Sequence, residues 1–216
     1  MPFVAIRQEK SGRNTLFITD DFKQYTLSDL LNKKKSLPGI QFITSKIRSS
    51  YIRSIPNTDQ TNNLDKIAIT CNSGDYLLFD RKFLYLKALN GRVKKQWEAF
   101  SGNKTATLAD QDKADFGPLP EGEYIVYFDK TLDFKNNEGL FDALKWIKKS
   151  PNWGFVATPL EQVSGKSYQR GDFYIHGGIQ RGTKGCIELN NFANGRFYSF
   201  MVLYNRSFKL IVRYSK

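Results

Sequence analysis

Tyr76-Leu-Leu-Phe-Asp80, Phe83-Leu-Tyr-Leu86, Asn90-Gly91 and Arg92-Val-Lys-Lys-Gln-Trp-Glu-Ala-Phe100 follow one another with little between them. Short apolar runs parted by Arg81-Lys82 and an Asn-Gly pair read as strands joined by tight turns. Asn-Gly supplies the positive φ that a two-residue hairpin needs. Upstream, Asn72-Ser-Gly-Asp75 is a turn, and Lys66–Cys71 is another strand-like run with Cys71 as a buried structural thiol. Downstream, Gly117-Pro-Leu-Pro-Glu-Gly122 turns into Glu123–Phe128, where Tyr124, Val126 and Phe128 alternate with Ile125 and Tyr127. That run is apolar on both sides, as for a strand buried on both faces. Gly154–Thr158, Asp172–His176 and Phe208–Tyr214 complete the set, so the chain reads as mainly β with a few helices.

Three helices are expected. Leu27–Lys35 is capped by Ser28 or Thr26, ends in lysines that suit the helix dipole, and is stopped by Pro38-Gly39. Glu138–Lys149 places Leu140, Phe141, Leu144 and Ile147 at helical spacing and ends at Pro151. Asn190–Tyr204 turns Phe192, Phe200 and Leu203 inward. The polar stretch 57–63 is the linker candidate, giving a small α/β N-terminal segment, 1–63, and a β-rich domain, 64–216.

The 216 residues are 40% hydrophobic and 14% aromatic, ample for a core, and carry a net charge of +12. Such a charge draws anionic partners, but the lysine pairs and triplets are scattered and no RNA-recognition or zinc-finger signature joins them. One His and two Cys 115 positions apart make neither a zinc site nor a disulfide framework, so no metal or cofactor is expected. The start has no signal-peptide apolar region and no run is long enough to span a bilayer, which predicts synthesis in the cytoplasm without membrane insertion.

The single histidine, His176, lies ten residues before Cys186 in Tyr174-Ile-His-Gly-Gly-Ile-Gln-Arg-Gly-Thr-Lys-Gly-Cys-Ile-Glu-Leu189. A thiol that is to react at neutral pH needs a base, and an imidazole is the usual one. His176 ends a strand, which limits its ring's freedom, and the Gly177 carbonyl can fix its tautomer. The N–H groups of Gly185 and Cys186 are the expected oxyanion donors, Gly185 admits substrate close to the backbone, and Lys184 favours thiolate. Tyr174 shares the strand face of His176 and is read as either core or contact. Ser101 is either a turn residue or a substrate contact, and Arg170 and Arg181 either face solvent or bind carboxylates.

His176-Gly177 with Thr183-Lys-Gly-Cys186-Ile187 resembles the His-x-Gly and [Ser/Thr]-x-Gly-Cys-[Ile/Val] signature of L,D-transpeptidase (YkuD-like) catalytic domains. The short spacing is similar to that of the compact type VI secretion effectors of this family. Trp97-Glu-Ala-Phe-Ser-Gly102 and Gly117-Pro-Leu-Pro-Glu-Gly-Glu-Tyr124 resemble further segments of the group, so the likeness covers about Gly74 to Tyr214. Two places depart from the common pattern: Lys184 stands where it has a second His, and Glu188 where it has an Arg. The resemblance implies a β-sandwich or barrel core. It also implies attack by Cys186 on the third stem-peptide residue of peptidoglycan, loss of D-Ala, and a thioester resolved by water, a D-amino acid or a stem amine. Thr183, Lys184, Arg181, Arg170, Ser101 and Tyr174 are then substrate-binding candidates. An antibacterial toxin delivered to a target periplasm follows, with a cognate immunity protein and a secretion component as partners and residues 1–63 serving delivery, docking or packing. The rival readings are a non-catalytic cell-envelope module on the same fold, a basic nucleic-acid-binding protein, and a cysteine protease or amidase of another fold.

Overall fold

Along Tyr76–Phe79 and Phe83–Lys87 every second side chain is buried, as in strands with one face inward. The computed structural model describes residues 3–33, 40–43, 50–54, 64–133, 153–154, 156–178 and 181–214. These fall into two units, Met1–Asn72 with Val202–Tyr204, and Ser73–Met201 with Asn205–Lys216.

The first unit contains β1 (Phe3–Gln8), β2 (Asn14–Thr19), β3 (Gln24–Thr26), α1 (Leu27–Lys33), β4 (Ile40–Ile43), β5 (Tyr51–Ser54), α2 (Leu64–Ile67) and β6 (Ala68–Ile69). Its main sheet runs β3-β2-β1-β6, and β4 and β5 form a separate antiparallel pair. Ile6, Phe17, Leu27, Leu30, Ile52 and Leu64 form its core. Of the two candidate caps, Thr26 starts α1: its hydroxyl accepts the Asp29 N–H at 3.1 Å, and its own N–H donates to the Asp29 carboxylate at 2.8 Å. The strand expected over Lys66–Cys71 is a correction. Leu64–Ile67 is a helical turn, only Ala68 and Ile69 pair, in parallel with β1, and Cys71 lies beyond them, half-buried. That pairing carries the stretch after the polar linker into the N-terminal unit.

The second unit contains β7 (Tyr76–Phe79), β8 (Phe83–Lys87), β9 (Val93–Ser101), β10 (Gly122–Val126), β11 (Leu132–Asp133), β12 (Val156–Gly165), β13 (Phe173–Gly178), β14 (Ile187–Asn190), all but the last three residues of α3 (Asn191–Tyr204), and β15 (Phe208–Val212). The sheet runs β10-β15-β7-β8-β9-β14-β13-β12, and β12 pairs back with β10, closing an eight-stranded barrel. Two neighbours are parallel, β13 with β14 and β15 with β7. The chain is therefore mainly β with few helices. Closure leaves each strand one inward face. Tyr124 and Val126 are fully buried while Ile125 and Tyr127 are only half-buried, so β10 is not covered on both sides.

Inside, the Trp97 indole packs edge-on against Phe197 and tilted against Phe200 of α3. Asn190 caps α3 through the Ala193 N–H at 2.8 Å, which puts Phe192 in the first turn and outside, 88% exposed, rather than inward. Phe200 and Leu203 are buried as expected. Lys94 and Asp75 form a buried ion pair, and the Asp75 carbonyl accepts from Arg206 at 2.7 Å. The helix expected over Glu138–Lys149 lies outside the described residues.

Candidate catalytic site

His176 sits on β13, 4% exposed, and its Nδ1 is 2.7 Å from the carbonyl oxygen of Gly177. A carbonyl only accepts, so this contact puts a proton on Nδ1 and makes Nε2 the nitrogen that can act as base. Gly177 is still within β13, and its backbone lies close against the start of α3. A Cβ at Gly177 would stand 2.7 Å from the Asn191 side-chain oxygen and 3.2 Å from the Gly154 Cα. The indole of Trp153 stacks on the imidazole at 4.7 Å and 18°, and also meets the Tyr174 ring edge-on at 5.2 Å. Ring and carbonyl together fix the imidazole in plane and in tautomer. Tyr174 is thus part of the aromatic wall around the base. Nothing in the sequence pattern singled out Trp153.

Cys186 lies one residue before β14, 7% exposed. Parallel pairing sets Ile175 against Ile187 and His176 against Glu188. Continued by one residue, that register sets Cys186 beside Tyr174, whose N–H donates to the sulfur. His176 and Cys186 are then on one face, one diagonal step apart, with Cα atoms about 8 Å from each other. The thiol itself is turned toward the Asp172 carbonyl, 4.0 Å away.

Burial pushes the Cys186 thiol up to about 11; the Tyr174 N–H and the Arg170 guanidinium pull it back, and Asp172 and Glu188 push it further. The free thiol is therefore protonated at neutral pH. Lys184 was expected to favour thiolate. It does not act on the sulfur: its ammonium is 75% exposed and lies 3.4 Å from Asp115, where water screens it.

The loop carrying Cys186 is tied to distant segments. The Arg170 guanidinium donates to four carbonyls, those of Gln111 (2.5 Å), Pro118 (2.8 Å), Gly117 (2.9 Å) and Lys184 (3.1 Å), and stands over the Phe173 ring. The Ser101 hydroxyl donates to the Gly185 carbonyl at 3.1 Å and accepts from the Leu119 N–H at 2.8 Å. The Thr183 hydroxyl donates to the Cys186 carbonyl at 2.8 Å and accepts from the N–H groups of Gly102 (3.1 Å) and Gly185 (3.2 Å). These three side chains are committed within the fold and are loop anchors rather than substrate contacts. Gly185 is also reassigned. Its N–H is taken by Thr183, and the group pressed against it is Arg170, whose Nη2 would be 2.4 Å from an added Cβ. At φ +115° this position suits glycine in any case.

Glu188 is buried, which raises its carboxyl above the ordinary range, and it accepts the Gly182 N–H at 3.2 Å. It pins the segment between base and thiol. Arg181 is exposed and paired with Glu98. Among the described residues no three His, Cys, Asp or Glu side chains gather in a way that could hold a metal ion, and no helix is long and apolar enough to cross a membrane. No protein-family model matches the chain and no curated protein matches it significantly.

Proposed function

We propose that this protein is a cysteine-dependent acyl transferase or hydrolase of peptidoglycan stem peptides. The observation that carries the reading is the 2.7 Å contact between His176 Nδ1 and the Gly177 carbonyl, which leaves Nε2 as the basic nitrogen of a ring on the sheet face that the strand register also gives Cys186. A thiol that rests protonated calls for proton transfer to the base during attack rather than a resting ion pair. As the sulfur bonds to the carbonyl carbon of the third stem residue, Nε2 takes the thiol proton and the carbonyl π electrons move to oxygen. Collapse of that oxyanion breaks the C–N bond, and His176 returns the proton to the departing amine of D-Ala. Water or an amine then attacks the thioester with His176 again as base. Of the two expected oxyanion donors the Cys186 N–H remains, because that of Gly185 is held by Thr183. Action as an antibacterial effector with an immunity partner belongs to the same proposal, on the strength of the resemblance.

Purified tetrapeptide muropeptides incubated with the protein and followed by mass spectrometry test it. Loss of terminal D-Ala, or its exchange for an added D-amino acid, is expected, falling by at least about a thousandfold in Cys186→Ala and in His176→Ala. Unchanged muropeptides with folded protein would overturn the reading.

A further inference from the structure

The parallel ladder between β13 and β14 begins at Ile175 and Ile187, although β13 itself begins earlier, at Phe173. Continued by two residues, the register would set Gly185 against Phe173. A residue in that place takes one carbonyl and one N–H from the neighbouring strand, here those of Asp172 and Tyr174. Gly185 takes neither. Its N–H donates to the Thr183 hydroxyl at 3.2 Å, and its carbonyl accepts from Ser101 at 3.1 Å. On the other side Tyr174 stands opposite Pro159 of β12, which has no N–H and whose carbonyl accepts from Tyr127 at 3.1 Å. Such a pair exchanges no hydrogen bonds, so the Tyr174 N–H is directed at β14. The sulfur of Cys186 stands in the gap, 4.0 Å from the Asp172 carbonyl oxygen and accepting the Tyr174 N–H.

We propose that the main-chain N–H of Tyr174 is the second oxyanion donor, beside that of Cys186, an assignment that rests on the acyl-transfer reading. A main-chain N–H inside the fold needs an acceptor, and in the free protein it has sulfur, a weak one. When Sγ bonds to a carbonyl carbon, its proton passes to His176 and the π pair moves to the oxygen on that same carbon. The N–H directed at the sulfur then has an oxyanion one bond further on. It exchanges a weak acceptor for a charged one, so its bond strengthens only as negative charge develops. The tyrosine ring plays no part in this, being packed against Trp153. Ser101 and Thr183 act through Gly185: by holding both of its polar groups they keep the gap in the ladder open.

The test replaces Tyr174 by its α-hydroxy acid through nonsense suppression, which turns this one N–H into an ester oxygen and keeps the ring. Acylation is read as the Cys186-dependent burst of p-nitrophenolate from p-nitrophenyl acetate, which requires no recognition of peptidoglycan. Alkylation by iodoacetamide is the reference, because displacement of iodide creates no oxyanion. The burst rate is expected to fall about a hundredfold, as for loss of one oxyanion donor, while alkylation moves by less than about threefold. Equal losses in the two reactions, or an unchanged burst, would overturn the assignment. The same change at Phe173, which pairs with Leu160 of β12, should leave the burst within about threefold, and an equal fall there would also overturn it. If the Tyr174 ester does not fold, isotope-labelled wild type decides by nuclear magnetic resonance. Formation of the acetyl-enzyme should move the Tyr174 amide proton downfield, and an upfield or absent shift counts against the donor. Muropeptides left intact by a protein that gives the burst would sink the stem-peptide reading and leave the donor standing.

Discussion

His176 and Cys186 sit on neighbouring strands, yet they are held by opposite means. The histidine is fixed from close by: its hydrogen-bond partner is the next residue, and an indole stacks on its face. The cysteine is fixed from far away. Its loop hangs on Arg170, which reaches back to Gln111, Gly117 and Pro118, and on Ser101 and Thr183, which bridge some eighty positions. The base is a local product of strand and glycine, while the nucleophile is a product of barrel closure. Damage to the barrel should reach the thiol first.

Arg170→Ala is the most severe way to break this contrast. It strips the charged donor from four carbonyls at once, leaving them inside the fold without that partner. A loss of about 3 kcal/mol in denaturant unfolding is expected, as for hydrogen bonds to a half-buried charged group removed together. In protein that remains folded, Cys186 should label with iodoacetamide at an altered rate while the Trp153 fluorescence environment next to His176 persists. Equal disturbance of both would mean that the two anchors are one.

Alkaline pH probes the cysteine side. The folded thiol titrates near 11 against an ordinary value of 9.0, so the native state keeps its proton longer than the unfolded chain does. Stability from this group is fully present below pH 9 and is lost as pH rises to about 11, a decline of about 2–3 kcal/mol. Unfolding curves for wild type and Cys186→Ala should converge across that window. The variant is needed because burial also raises the phenols of Tyr124 and Tyr214. Parallel curves would show that the thiol is not held neutral by the fold.

The same contrast explains what could be read in the sequence. His176, Gly177 and their carbonyl contact are adjacent residues, and the strands follow from alternation and turns, so both were legible. The sequence leaves Ser101 between turn and substrate contact, Arg170 between solvent and carboxylate, and Thr183 a candidate contact, because a polar side chain near a reactive group looks the same whether it faces ligand or fold. Only closure of β9, β13 and β14 brings Gly102 and Gly117 to them. Trp153 carried no periodicity that could mark it. Phe192 was misplaced because the Asn190 cap, which sets the helix phase, counts for more than the apolar label of one residue.

The aromatic support of the base is worth less than either anchor of the thiol. An indole face attracts an imidazole more strongly once the ring is charged, by about 1 kcal/mol where partly desolvated. Trp153→Ala should therefore slow turnover and Cys186 alkylation at pH 7 by about fivefold, and Trp153→Phe should restore most of the rate. A loss shared equally by both variants would point to packing instead. Lys184→Gln is the smallest case. Its ammonium lies in water beside an equally exposed Asp115, and the residue is tied to the site only by its backbone carbonyl, which glutamine keeps. Stability should stay within about 0.5 kcal/mol and the pH profile of alkylation should not move. A fall in thiol reactivity would place the Lys184 charge at the sulfur after all, and the nucleophile would then be tuned by its neighbour in the chain, just as the base is.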